Sequence, residues 1–375
     1  MTFLKRLEEW NKIIWYNAIF KPLFQNKPMK EPIDIRQVKK ILIIRRDMIG
    51  DMVITTALLN FIKDLHPNVQ LDVLTAPKGY SIVQFDQRLH RVFLFKRGVW
   101  DFIKLMRVLR EENYDVIFGL SFTGLTLDGI IANIIGRRAV KVTNYLEKPL
   151  SPYSILFNKE IEVGKHQTPL WRQLITLAEK TFGVEYPDEK IRQSLFIQPE
   201  AEQRAEQFLR EAKLNDGSFL MFNISSRLWV RKWGHDRNRQ FLQAVSAAHP
   251  ELKILLSFIP DDRAEAETLA QSLPGVSITL LPEGFGLHEV IALTKRAAWV
   301  VSPDTANVHI AATFGIPSVI LCTPISTSIE WAPIGKNYIN IYTEREEPVT
   351  AIDPQRVIDA FETLYRASLA KTSVL

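Results

Sequence analysis

Three stretches of this 375-residue chain combine residue types and spacings suited to chemistry on a phosphorylated ligand. The first is the corner Ser302-Pro303-Asp304-Thr305 between an apolar run ending at Val301 and a helical pattern from Ala306 to Phe314. A helix that opens just past the carboxyl end of a strand offers unpaired N–H groups and its dipole to an anion. Thr305 and His309 are four apart and share one helix face, with Asp304 just before them. The second stretch is Arg45-Arg46-Asp47-Met48-Ile49-Gly50-Asp51, another strand-to-helix corner. Gly50 is expected to take a positive φ there. Asp51 suits a plain helix cap or a base that takes a proton from an attacking hydroxyl. The third is the loop Ser225 to Arg239, with five Arg/Lys and one acid between positions 227 and 239. Its cations and hydroxyls, Ser225, Arg227 and Lys232 among them, suit phosphate oxygens; a solvated basic face is the alternative. Lys232 stands out because Trp229 and Trp233 flank it, whereas Arg237 and Arg239 begin a helix. Asp262, after a strand ending at Phe258, fits either a ribose hydroxyl or a helix N-cap.

The elements that must position these groups alternate regularly. Buried strands are expected at 41–44, 71–75, 92–95, 116–120 and 140–142, with helices including 52–65, 100–111 and 125–135. After a break around Pro149 and Pro152 and a helix at 169–182, strands recur at 219–224, 253–258, 276–280, 298–301 and 318–321, with helices at 237–248, 263–272 and 287–296. This pattern predicts α/β architecture: two Rossmann-like, doubly wound parallel-sheet domains facing across a cleft. The expected division is an arm over 1–32, a first domain over 33–184 and a second over 185–375, whose last helix, from Pro354, is a candidate to cross back onto the first domain.

An apolar fraction of 46% with 24% charged residues suits a globular chain. Cys322 is the only cysteine, so an intramolecular disulfide is excluded; closing an apolar strand, it reads as a buried small hydrophobe. Residues 1–40 hold nine Lys/Arg against four acids, a surplus equal to the net charge of +5. The same segment places Phe3, Leu7, Trp10, Ile14 and Ala18 at helical spacing. A basic helix with tryptophans suits the surface of an anionic membrane; packing on its own domain is the alternative. No apolar run is long enough to span a bilayer and no signal peptide is evident, so a cytoplasmic location is expected. Nucleic-acid binding has no motif behind it. Dinucleotide, P-loop and zinc patterns are absent, as is an Asp-x-Asp pair to hold a divalent metal on a diphosphate.

Two segments, ILIIRRDMIGDMVITTALLNFIKDLHP and VVSPDTANVHIAATFGIPSVILCTP, resemble the paired signatures of the lipopolysaccharide heptosyltransferases, glycosyltransferase family 9 of GT-B fold. The resemblance spans about residues 38–345. It implies an inverting transferase, without metal or other cofactor, that moves heptose from ADP-heptose onto lipid A–core oligosaccharide at the inner face of the cytoplasmic membrane. By the same resemblance Asp51 is the catalytic base on the acceptor side, with Arg45 and Gly50 beside it. Lys232, Thr305 and the amides of its helix meet the diphosphate, Asp304 meets the donor sugar, and His309 lies close by. The family's usual glycine after Asp-Thr is Ala306 here, its small residue before His is Val308, and its glycine before Pro324 is Thr323. These departures leave open another nucleotide-sugar donor, or a GT-B protein that binds sugar nucleotide or lipid without turnover.

Overall fold

The computed structural model describes residues 18, 21–24, 26–121, 125–144, 153–164, 167–323 and 329–372. The expected arm helix over 1–30 falls almost wholly outside these residues. Two compact units divide the chain: one holds the described residues up to 164 together with Trp171–Ser194, the other 167–170 and everything from Leu195 onward. The division falls past the expected joint near 183–187 because residues 185–194 pack on the first unit. Phe61 meets Tyr186 edge-on at 4.9 Å, Asn60 donates to the Arg192 carbonyl at 2.8 Å, and Arg192 pairs with Asp64 at 2.6 Å.

In the first unit the strands are β1 (Lys40–Arg45), β2 (Gln70–Thr75), β3 (Arg91–Leu94), β4 (Val116–Gly119), β5 (Val140–Asn144) and β6 (Lys159–Ile161). They form one parallel sheet in the order β3-β2-β1-β4-β5-β6. Its helices are α1 (Ile49–Leu65), α2 (Pro77–Val83), α3 (Val99–Glu111), α4 (Leu125–Ile135) and, after a single turn at Tyr153–Leu156, α5 (Leu170–Phe182). Strand β1 is apolar throughout its interior and buried on both faces, as a strand covered by helices on each side must be.

The second unit repeats the scheme. Its strands β7 (Phe219–Asn223), β8 (Lys253–Ser257), β9 (Ile278–Leu280), β10 (Trp299–Pro303), β11 (Ser318–Cys322) and β12 (Tyr338–Tyr342) run parallel in the order β12-β11-β10-β7-β8-β9. Helices α6 (Pro199–Glu211), α7 (His235–Ala248), α8 (Arg263–Gln271), α9 (Leu287–Arg296), α10 (Ala306–Thr313) and α11 (Pro354–Thr372) accompany them. Helix α11 packs on this unit: Phe361 meets Phe241 and Trp299 at 5.9 and 6.0 Å, and Trp299 Nε1 donates to Ser368 Oγ.

Each sheet has the doubly wound order in which the chain reverses direction between its first and fourth strands. That reversal leaves a crevice at the carboxyl ends of β1 and β4, and again at those of β7 and β10. Strands β6 and β12 and helices α2 and α6 go beyond the expected elements. Strand β6 carries two charged residues, and α6 buries mainly alanines, Ala201 and Ala205, with Leu209; neither has the large apolar period that announces an element. Cys322 is buried beside Val308 and Ile320, as a small hydrophobe.

Candidate active site

Strand β1 ends in Arg45, and the chain turns directly into α1. Gly50 lies in the first turn of α1 and does not take a positive φ. The turn expected to need one is made by non-glycine residues, so backbone freedom is not the reason for this glycine. Asp51 occupies the third helical position and is buried. One carboxylate oxygen accepts the Met48 N–H at 2.8 Å, the reciprocal half of a capping box. The other accepts Arg45 Nη2 at 3.0 Å. Arg45 is itself buried; it also donates to the Leu120 carbonyl at the end of β4 and lies 3.4 Å from Asp47. Asp51 therefore caps its helix and is held by a cation at once. Burial raises its pKa above the ordinary carboxylate value, against the opposing pull of Arg45 and the Met48 amide. A carboxylate made more basic by burial yet oriented by an arginine is suited to accept a proton.

Next to it, Arg46 pairs with Asp128 of α4 at 2.6 Å, and Ser121 Oγ accepts the Arg46 N–H at 3.0 Å. Asp128 is fully buried, and desolvation lifts its pKa to about 6 despite Arg46. The Arg46 guanidinium also lies over Phe95, 5.1 Å from the ring centre. A single carboxylate in the apolar run of α4 was the one sequence signal for this pair.

In the second unit Asn223, the last residue of β7, donates to Ser302 Oγ at 2.9 Å and lies 3.5 Å from Thr305 Oγ1, so it ties β7 to the corner after β10. Thr305 is the N-cap of α10, yet among the described residues no side-chain hydrogen bond caps that helix end. Arg231 donates to the Asp304 carbonyl at 2.8 Å and pairs with its carboxylate at 3.2 Å. Burial raises the Asp304 pKa, and Arg231 opposes the rise. His309 is buried on α10, its Nδ1 meets no hydrogen-bond partner among the described residues, and burial lowers its pKa to about 4. It is a neutral imidazole at neutral pH.

Lys232 pairs with Asp262 at 2.5 Å and lies 3.5 Å from Glu265. Partial burial works against its charge, but the two carboxylates outweigh it and hold the ammonium above its usual pKa. Asp262 is the N-cap of α8 by position but makes no side-chain cap bond. Its second oxygen accepts Ser225 Oγ at 2.6 Å, and Ser225 Oγ in turn accepts the Ile259 N–H. The Ser225 hydroxyl is thus committed to orienting Asp262. Arg227 is exposed on the same loop. The two tryptophans around Lys232 part company: Trp233 is buried with its indole N–H on the Ile352 carbonyl, while Trp229 is 73% exposed. The structure therefore gathers Lys232, Asp262 and Ser225 in one network and Asp304 and Thr305 in another. Arg231, Asn223 and Glu265 join them, although none was singled out as a site residue from the sequence.

Comparison with known proteins gives the family and the fold. The model of glycosyltransferase family 9 (heptosyltransferase) matches residues 102–355, which include the Lys232 and Asp304 networks and leave the Asp51 corner outside. Lipopolysaccharide heptosyltransferase 3 of Escherichia coli is 23% identical over 87% of this chain and 99% of its own length. Lipopolysaccharide heptosyltransferase 1 of Campylobacter coli is 20% identical over 75% and 83%. Among solved structures, a family 9 glycosyl transferase from Veillonella parvula superposes with a TM-score of 0.75 at 16% identity, covering 90% of this chain and 99% of that one. An E. coli heptosyltransferase with ADP-2-deoxy-2-fluoro heptose superposes at 0.69 and 19% identity, covering 86% and 99%. The fold is the GT-B fold of these enzymes. With its two doubly wound sheets and its charged corners at their reversal points, the chain belongs to glycosyltransferase family 9, the heptosyltransferases.

Proposed function

We propose that the enzyme transfers heptose from ADP-heptose onto the lipid A–core oligosaccharide of lipopolysaccharide, with inversion and without a metal. The observation that carries this reading is the pairing of charge with topology. One sheet ends in a buried, arginine-oriented carboxylate; the other ends in Arg231 at the corner before α10, whose start no side chain caps among the described residues, and in Lys232 at the start of α8. In this reading Asp51 takes the proton of the acceptor hydroxyl as it attacks the anomeric carbon, and Arg45 positions Asp51. The bond to the diphosphate breaks as the new bond forms, so charge grows on the leaving oxygen. Lys232, Arg231 and the first amides of α10 stabilise it where it develops. Asp304 meets the donor sugar, Asp262 meets a ribose hydroxyl, and Ser225 holds Asp262 in place. Arg227 borders the phosphates, and Gly50 leaves room for the acceptor beside Asp51.

The names of the relatives support the heptosyl group and the lipopolysaccharide acceptor. The basic, aromatic arm at 1–30 supports action at the inner face of the cytoplasmic membrane. A second donor remains in play through one observation: Ala306, where the family carries glycine, opens α10 with an added methyl at the phosphate corner. The test is a panel of nucleotide sugars assayed for protection against thermal unfolding, with and without chelator, since a ligand of the native state raises its stability. ADP-heptose should protect most, with or without chelator. Stronger protection by another nucleotide sugar would replace the donor, and a strict need for Mg²⁺ would refute the metal-free mechanism.

A further inference from the structure

Helix α3 opens on Val99 and Trp100, which are 72% and 76% exposed; Trp100 is the most exposed large hydrophobic among the described residues. The helix needs neither for its own packing. Met106 and Leu109 are buried in the core of the first unit, and Phe102 and Leu105 pack against it. Helical spacing puts Trp100, Lys104, Arg107 and Val108 on the opposite side. Lys96 and Arg97 precede the tip, and Lys104, Arg107 and Arg110 follow it, all exposed. Asp101 is the single acid between positions 96 and 110. The surface helix α6 makes the contrast: its acids outnumber its arginines, and it exposes no large hydrophobic residue.

We propose that this tip and the basic face behind it dock on an anionic lipid surface. An indole with a small aliphatic neighbour suits the boundary between headgroups and acyl chains, and a cationic surround is attracted to anionic headgroups. The placement in the fold gives the contact a use. Helix α3 starts beyond the carboxyl end of β3, at the same end of the sheet as the corner after β1 that carries Asp51. Arg46 of that corner lies over Phe95, and Phe95 meets Phe102 of α3 edge-on at 6.4 Å. Docking the tip therefore brings the Asp51 end of the sheet toward the lipid. That last consequence rests on the proposed acceptor being lipid-anchored, while the docking itself does not.

The test is co-sedimentation of the full chain with phosphatidylcholine vesicles, with and without phosphatidylglycerol, at low salt. The chain should partition onto the anionic vesicles only. K104S/R107S should lower that partition about thirtyfold, at about fivefold for each basic residue lost. V99S/W100S should lower it about a hundredfold or more by removing the two buried apolar contacts. Both pairs are exposed, so the melting temperature should not change. Partition unchanged in either variant, equal binding to neutral vesicles, or no vesicle binding by the full chain would overturn the proposal. A partition carried by residues 1–30 alone would appear as the first of these outcomes. Nucleotide-sugar protection, read separately, tells failure here from failure of the proposed reaction.

Discussion

Replacing Arg45 separates a base that works by its charge from a residue that holds a fold. The guanidinium is 3.0 Å from one Asp51 oxygen, and both side chains are buried. An arginine so placed lowers a carboxylate's pKa by about one to three units. Burial already pushes the Asp51 pKa above its ordinary value, and Arg45 is the main force in opposition. In Arg45→Met that opposition is gone while Asp47 remains, so the pKa should rise by about one to three further units. The acid limb of kcat/KM should move up by the same interval, with turnover regained toward high pH. Losing one partner of a buried pair costs about 3–5 kcal/mol, so the protein should also melt earlier. Arg45→Lys keeps the charge and should leave the limb near its original position. The assay is initial rate against pH, with nucleotide-sugar protection as the check that the second unit is intact. A limb that stays put in Arg45→Met, or activity lost equally at every pH, would refute Asp51 as a titrating base positioned by Arg45.

Lys232→Ala removes a charge-assisted contact to the diphosphate, worth about 1.5–3 kcal/mol, and should weaken ADP-sugar binding roughly ten- to a hundredfold by calorimetry; an unchanged Kd would remove Lys232 from the donor site. His309 concerns stability. Its folded pKa, about 4, lies below the unfolded value of 6.5, so between these the unfolded chain binds more protons. Its contribution is full above pH 6.5 and is lost as pH falls toward 4. His309→Asn should lose less stability over that interval, measured by denaturant unfolding; a parallel decline in both proteins would count against a buried neutral imidazole.

The two corners were legible because each is local: an apolar strand, a short polar turn and a helix within about a dozen residues. Asp51, Asp304 and Thr305 announce themselves that way. The networks around them were not, because their partners lie far apart in sequence. Asp262 is thirty positions from Lys232, and Asp128 is 82 from Arg46. Arg231 looks like any other cation of its loop until the fold brings it to Asp304. Asn223 carried a readable signal, a single amide closing the apolar run Phe219–Phe222. Ser225 and Asp262 stand on separate stretches of the sequence, one in the basic loop and one after the next strand, and their bond to each other depends on β7 and β8 being neighbours. The glycine at position 50 misled because a glycine at a corner suggests a turn, whereas the chain had already entered its helix.

The central claim is that Asp51 takes the acceptor's proton, and Asp51→Asn tests it most directly. The amide keeps the shape of the side chain and loses its basicity. General-base catalysis contributes about 10²- to 10⁴-fold, so turnover with donor and acceptor should fall by that factor. Protection by ADP-heptose should persist, because the residues assigned to the donor belong to the other unit. Turnover within about threefold of the parent, with the fold intact, would contradict the account.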